Sequence, residues 1–445
     1  MAMLNDESYD KFYLGEDTRC IVPLNCQKTK LNNNMLIEGG TGTGKSLSIL
    51  VSYLLHVRHT NSIVVVTKKK LMTQTIPTLK AHGYDVTVMD FTDPGSNASG
   101  FDPLQCCKTR ADVAHLAYTI IHADPVASQP KDLFWDNSAQ QIIELVLRFV
   151  WEGHFPQGDR LIDAVELLDH VYKMDFGSAE FDEPDKGDRY FRGGRFDDGW
   201  DEDDKVAYPL QYALRNLKHI NRKDYGTWKA FNKGADQTSA SIASTVNEQM
   251  SKIFNEDTRA ILRNAKPFDF KQMLQPHQVL FIYMSPVNVA QHRFISLFYQ
   301  QAFKSLFELG ESQPDGVLPY PIQVVCDDFA TGCHIPDFDQ TISIFREKGM
   351  AVTMLLQSET QLAEMYGELQ AQTIINNCDT IVYLGGMDLK TCESVARRAN
   401  VPLEDVVNMH IGNEIFFRRG MKPVFTKRYD TPNDPLYIQS REKAR

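Results

Sequence analysis

The sequence predicts an α/β protein built on a doubly wound, mostly parallel sheet, with an all-helical segment inserted into it. Three observations carry this. Short apolar runs alternate with helical spacing from Met35 to Asp90. Helical spacing alone then fills 108–265, apart from an acidic, glycine-rich loop at 177–204. Apolar runs return at Val279–Met284, Ile322–Cys326, Val352–Leu356 and Thr380–Leu384. Strands that alternate with helices belong to parallel sheets, because a parallel connection needs a crossover.

The elements follow in order. Residues 1–34 hold strand-like pieces and end in the turn-rich Leu31-Asn32-Asn33-Asn34. Met35–Glu38 reads as a short buried strand and Ser46–His56 as an apolar helix. Ile63–Thr67 and Asp85–Asp90 are further strands, flanking a helix over Leu71–His82. The helical stretch is periodic over Ala111–Ala123, Asp132–Gly153, Leu161–Met174 and from Tyr208 to about Ala265. A helix over Gln291–Leu309 follows, and Glu414–Asp430 reads as a basic hairpin. The organisation is therefore 1–107, first part of the sheet domain; 108–265, helical insertion; 266–445, second part of the sheet domain.

Bulk properties narrow the function. The chain has 445 residues, 42% hydrophobic and 24% charged, as an ordinary globular protein has. Its net charge of −11 argues against a broad DNA-coating basic exterior. The stretch Glu180–Asp204 alone carries −7, leaving −4 for the rest, so basic surface elsewhere is allowed. That stretch reads as a solvated loop, or as a face for a basic partner. The eight cysteines include no CxxC pair and no zinc spacing, and read as reduced thiols. No apolar run reaches the ~18 residues that cross a bilayer, so work at a membrane implies recruitment there.

The sharpest motif is Gly39-Gly40-Thr41-Gly42-Thr43-Gly44-Lys45-Ser46, which fits the P-loop pattern without mismatch. Glycines let successive backbone N–H groups converge on phosphate oxygens, and the following helix adds its positive end. Lys45 is expected on the β- and γ-phosphates and the Ser46 hydroxyl on Mg²⁺. Such an enzyme needs a second carboxylate at a strand end. The apolar Ile322–Cys326 followed by Asp327 and Asp328 supplies it: Asp327 for the metal, Asp328 as the water-orienting base. Asp328 is one methylene shorter than the usual Glu. The expected ligands are ATP and Mg²⁺.

Five segments together resemble the type IV secretion coupling protein family, the TraG/TraD-like conjugative DNA-transfer ATPases. They are Asn34–Ser46; Ser62–Leu104, closing in Phe101-Asp102-Pro103-Leu104; Asp327-Asp328-Phe329-Ala330 with Ile335–Phe338; Leu355–Ser358 with Gln361-Leu362; and Asn377-Cys378-Asp379-Thr380 running into Leu384-Gly385-Gly386. The resemblance implies a RecA-like motor domain with the helical domain between its two Walker motifs. It implies a hexamer at the inner face of the bacterial cell membrane that couples relaxase-bound DNA, in all expectation single-stranded, to a secretion channel. It further implies that Gln357 senses the γ-phosphate and that Arg346 reaches a neighbouring subunit's nucleotide. Two features depart from the family. Its members usually carry an N-terminal membrane anchor, whereas this N-terminus is polar, and their Asp-Pro-Lys-Gly-Glu is here Lys68-Lys69-Lys70-Leu71-Met72.

For DNA, basic residues lining a pore are wanted. Lys68–Lys70 and Arg215–Lys233, whose Tyr225, Trp228 and Phe231 suit either base stacking or a core, are the candidates. Two other readings stay open: a related partitioning or packaging translocase, and a weakly hydrolysing ATP-binding receptor for protein substrates.

Overall fold

The computed structural model describes residues 9–96, 99–124, 133–153, 159–169, 222–232, 236–264, 266–329 and 334–443. The acidic stretch 180–204, Arg215 and Lys218 lie outside them.

Among the described residues, nine strands form one sheet in the order β11-β10-β9-β3-β8-β7-β4-β6-β5. They are β3 (Met35–Glu38), β4 (Asn61–Val66), β5 (Asp85–Asp90), β6 (Gln278–Tyr283), β7 (Ile322–Cys326), β8 (Met350–Leu356), β9 (Thr380–Tyr383), β10 (Asn413–Arg418) and β11 (Val424–Lys427). Strands β9 through β5 run parallel, and the β10–β11 hairpin adds antiparallel to β9. A small hairpin, β1 (Lys11–Tyr13) with β2 (Ile21–Pro23), forms its own two-stranded sheet and packs through Phe12 and Val22 into the core beneath the large one.

Central strands are buried on both faces, so they read as unbroken apolar runs. The period-2 alternation then sorts side chains by face. Leu36, Ile63, Val65, Val352 and Met354 join one apolar cluster, and Ile37, Val64, Val66 and Leu355 the other. The second face is covered by the helix after the glycine loop and by the helix Lys69–Ala81. The first face is covered by the long helix Val289–Glu311 and by the helices between β5 and β6: Arg110–His122, Leu133–Trp151, Leu161–Leu168, Arg222–Asn232, Asp236–Ile253 and Glu256–Arg263. Every described element of that stretch longer than one turn is helical. These helices share one continuous core with the sheet.

The joint between the two parts is Asp102. Buried below Phe101, it accepts from Leu104 N (3.0 Å) and from Arg160 Nε (3.2 Å). Phe101 packs edge-on against Phe294 and Phe298 of the long helix. The helix Arg222–Asn232 docks through buried Asp224 on Arg148 Nη2 (2.7 Å), and Phe231 lies in the core. Phe231 is therefore a packing residue, not a base-stacking platform.

Candidate nucleotide site

The site lies at the carboxyl ends of β3, β7, β4 and β8, the edge at which open α/β sheets bind ligands. β3 ends at Glu38 and releases the chain into the glycine loop. Gly42 and Gly44 have φ of 84° and 91°, a region that suits only glycine. The loop is held from beneath: Gly39 N donates to Leu356 O (3.2 Å) and Gly40 N to Gly385 O (2.8 Å). The Leu384-Gly385-Gly386 motif thus has a structural task, bracing the phosphate loop from β9. The following helix is π-wound over Ser46–Val51 before it continues as α-helix to His56. Such widened turns recur at functional sites.

Lys45 is buried and folds its ammonium onto the loop's own carbonyls, those of Gly39 and of Gly40 (3.1 Å). Burial draws its pKa below the ordinary lysine value, against the opposing pull of Asp328 and Asp327. Ser46 Oγ donates to Asp327 Oδ1 at 2.8 Å. The second oxygen of Asp327, Oδ2, is buried without a hydrogen bond. Burial, reinforced by Asp328, raises the Asp327 pKa. A hydroxyl beside a carboxylate with an orphaned oxygen is a donor set that fits Mg²⁺ held partly through water.

The sheet register explains this meeting. β4 lies between β7 and β6, with Val65 opposite Cys326. The residues just past β4 therefore face the residues just past β7. Thr67 Oγ1 donates to Asp328 Oδ2 (3.3 Å), and Lys68 Nζ reaches Ser46 Oγ (3.1 Å) and Asp327 Oδ2 (3.8 Å). Lys69 turns the other way to Asp90 (3.0 Å). Two of the three lysines marked for DNA are thus engaged by acids or hydroxyls of this domain. Asp328 adopts a left-handed backbone, φ 53°, which costs a non-glycine residue about 1–3 kcal/mol.

Gln357, past the end of β8, accepts from Thr41 Oγ1 at 3.5 Å, so the structure brings it onto the loop. Arg346 is elsewhere. It ends the helix Phe338–Lys348, which leads into the start of β8. Seven strand residues separate it from Gln357, about 20 Å at the usual rise. It is exposed, and within one chain it does not join the site. Asn377 and Asp379 also lie at this opposite edge. Asn377 O accepts from Asn32 Nδ2 (3.0 Å), and Asp379 Oδ2 accepts from Asn32 N (2.6 Å), pinning β9 beside β3.

Two groups of the site have no local signal in the sequence. Arg428, just past β11, donates Nη1 to the carbonyl of Thr43 and packs over Gly44. Glu38, fully buried under the loop, has neither oxygen hydrogen-bonded. Burial first, then Glu359, raises its pKa well above the ordinary value.

The family profile described as type IV secretory system conjugative DNA transfer matches residues 6–399. The chain belongs to that family. No curated protein sequence matches it. Among solved structures it is similar to the bacterial conjugative coupling protein TrwBdeltaN70 in complex with sulphate (15% identity, 91% of this chain and 88% of that chain, TM-score 0.62). It is similar to plasmid coupling protein TrwB in complex with the ATP analogue ADPNP (14%, 92% and 89%, 0.63). It also resembles VirB4 of Thermoanaerobacter pseudethanolicus (14%, 98% and 99%, 0.52). At these identities the likeness establishes the fold, a RecA-like P-loop domain. Among the described residues, no helix is long and apolar enough to cross a membrane.

Proposed function

We propose that this chain is the ATP-hydrolysing coupling protein of a conjugative type IV secretion system. It binds ATP with Mg²⁺ at Gly39–Ser46, assembles as a hexamer at the inner face of the cell membrane, and uses turnover to pass relaxase-bound DNA to the channel. The observation that carries this is the 2.8 Å contact between Ser46 of the phosphate loop and Asp327, in a chain of the conjugative DNA transfer family. Support for the ligands comes from TrwB, solved in complex with ADP and Mg²⁺ and with ADPNP.

The residues divide the work as follows. Backbone N–H groups of Thr41, Gly42 and Gly44 to Ser46 hold the phosphates, and Lys45 neutralises their charge. Ser46 and Asp327 would hold Mg²⁺, which would supply counter-charge to the phosphates. Asp328, fixed through Thr67, orients the attacking water. Gln357 couples the state of the loop to the end of β8 through Thr41. Arg346 acts on the nucleotide of a neighbouring copy, where a guanidinium at the γ-phosphate adds about 10³–10⁵ in rate.

Asp328 also favours the receptor reading, since its shorter side chain sits on a strained backbone. One experiment separates the readings: ATP hydrolysis by the purified chain with and without single- and double-stranded DNA, alongside its mass by light scattering. DNA-stimulated turnover at hexamer mass supports the motor. ATP binding with little turnover and no DNA response supports the receptor.

A further inference from the structure

The side chain of Lys68 is 58% exposed and free to extend into water, yet it lies across the metal-binding pair. Its ammonium is 3.1 Å from Ser46 Oγ and 3.8 Å from Asp327 Oδ2, the buried oxygen that no hydrogen bond satisfies. Ser46 Oγ and Asp327 Oδ1 are themselves 2.8 Å apart. One cation thus meets both groups that would hold Mg²⁺. Its neighbours do not crowd there by chance of composition: Lys69 is bonded to Asp90 and Lys70 is exposed on the helix beyond. The register of β4 against β7 delivers Lys68 alone to this spot.

We propose that Lys68 is a tethered cation that occupies the metal position whenever Mg²⁺ is absent. The inference rests on the nucleotide-site reading above. An ammonium offers three donors and one charge, whereas Mg²⁺ offers two charges but requires near-octahedral oxygen ligands. The lysine therefore gives the loop a weaker, always-present counter-charge for phosphates. Mg²⁺ must displace it to load fully. The chain consequently retains nucleotide through metal loss and needs more Mg²⁺ to reach the hydrolytic state.

Binding reciprocity makes this testable without turnover. If affinity for the Mg²⁺–nucleotide complex is unchanged, whatever factor the lysine adds to nucleotide affinity without Mg²⁺ it must subtract from Mg²⁺ affinity with nucleotide bound. The probe is mant-ADP fluorescence on the full chain, titrated in EDTA, in saturating Mg²⁺, and across Mg²⁺ concentrations at fixed mant-ADP. Lys68→Met keeps an extended stem and removes the charge. Its dissociation constant in EDTA should rise about tenfold, and the Mg²⁺ concentration for half-maximal binding should fall by a similar factor, near 1.4 kcal/mol each. Affinity in saturating Mg²⁺ should stay within about threefold of the parent. Lys70→Met, which changes net charge equally, should move none of these. Equal weakening of Lys68→Met with and without Mg²⁺, or no change in either, overturns the proposal. Failure of the parent to bind mant-ADP even in saturating Mg²⁺ overturns the nucleotide reading, and this inference with it.

Discussion

Arg428 donates from the foot of the C-terminal hairpin to the carbonyl of Thr43, in the middle of the phosphate loop. Its own backbone is fixed by Arg428 N to Gly412 O (3.0 Å), so the guanidinium is presented from a rigid strand end. The contact braces the loop and adds positive charge beside it. Arg428→Ala should raise the ATP dissociation constant about tenfold, the worth of a charge-assisted hydrogen bond of about 1.5 kcal/mol. Calorimetric titration checks this; unchanged affinity would reduce Arg428 to packing.

Asp328 combines a strained backbone with a proposed catalytic role, and two substitutions separate these. Asp328→Asn keeps a residue type that tolerates left-handed φ but removes the charge. It should slow hydrolysis by about 10²-fold or more while ATP binding stays near normal. Asp328→Gly relieves the strain, so its unfolding free energy should rise by up to about 1 kcal/mol as activity falls. Denaturant midpoints and single-turnover rates are the readouts. A destabilised glycine variant would show that the Asp328 side chain contributes more than its backbone costs.

Arg346 lies at the far end of β8 from the loop, so any effect on nucleotide must come from another copy. Arg346→Ala should leave nucleotide binding intact and slow hydrolysis only where the oligomer is assembled. Titrating protein concentration tests it. The same fractional loss in dilute monomer would end the intersubunit reading.

Glu414 is buried with neither carboxyl oxygen hydrogen-bonded. Burial pushes its pKa from 4.5 up to about 9, with Arg428 pulling the other way. Between those values the folded chain holds a proton that the unfolded chain has lost. The stability from this group is therefore complete below about 4.5 and declines as pH rises towards 9. Glu414→Gln removes the titration. Relative to the parent it should gain at least about 1 kcal/mol at pH 8.5 and little at pH 5, read from urea midpoints at the two values. A difference that is flat with pH would mean the carboxyl ionises within the fold.

Much of this architecture is legible in the sequence because its signals are local. β3 and β7 fall on Met35–Glu38 and Ile322–Cys326, where a buried parallel strand must be an apolar run closed by turn residues, and the edge strand β5 falls on Asp85–Asp90, where one side is left open and polar residues alternate with apolar ones. The phosphate loop is a contiguous motif, and Asp327 is marked by the strand before it. What is not legible depends on strand order. Nothing near Lys68 indicates that β4 neighbours β7, so the lysine reads as surface charge or a DNA contact. Arg428 and Gly385 reach the loop from strands far along the chain for the same reason. The short helices around β9, Glu359–Tyr366, Glu368–Asn376 and Leu389–Ala399, are too brief for apolar spacing to separate. The last helix, Pro435–Lys443, has no apolar stripe and is held through Gln74 Nε2 to Ser440 Oγ (3.1 Å).

The position of β3 governs how the protein comes into being on the ribosome. β3 pairs with β8 on one side and β9 on the other, strands that begin at Met350 and Thr380. Translation at about 5–20 residues per second delays those partners by roughly 15–60 s after Glu38 is made. For that interval β3 has no edge to join, since the early strand β4 is not its neighbour and pairs instead with β6 and β7. A chain that ends before Gly385 lacks the carbonyl that holds Gly40 N, and with it part of the floor of the loop. Premature termination upstream of Gly385 should therefore yield an aggregation-prone fragment that ATP does not rescue, and the cell's holding chaperones must shelter the emerging strands until the sheet closes.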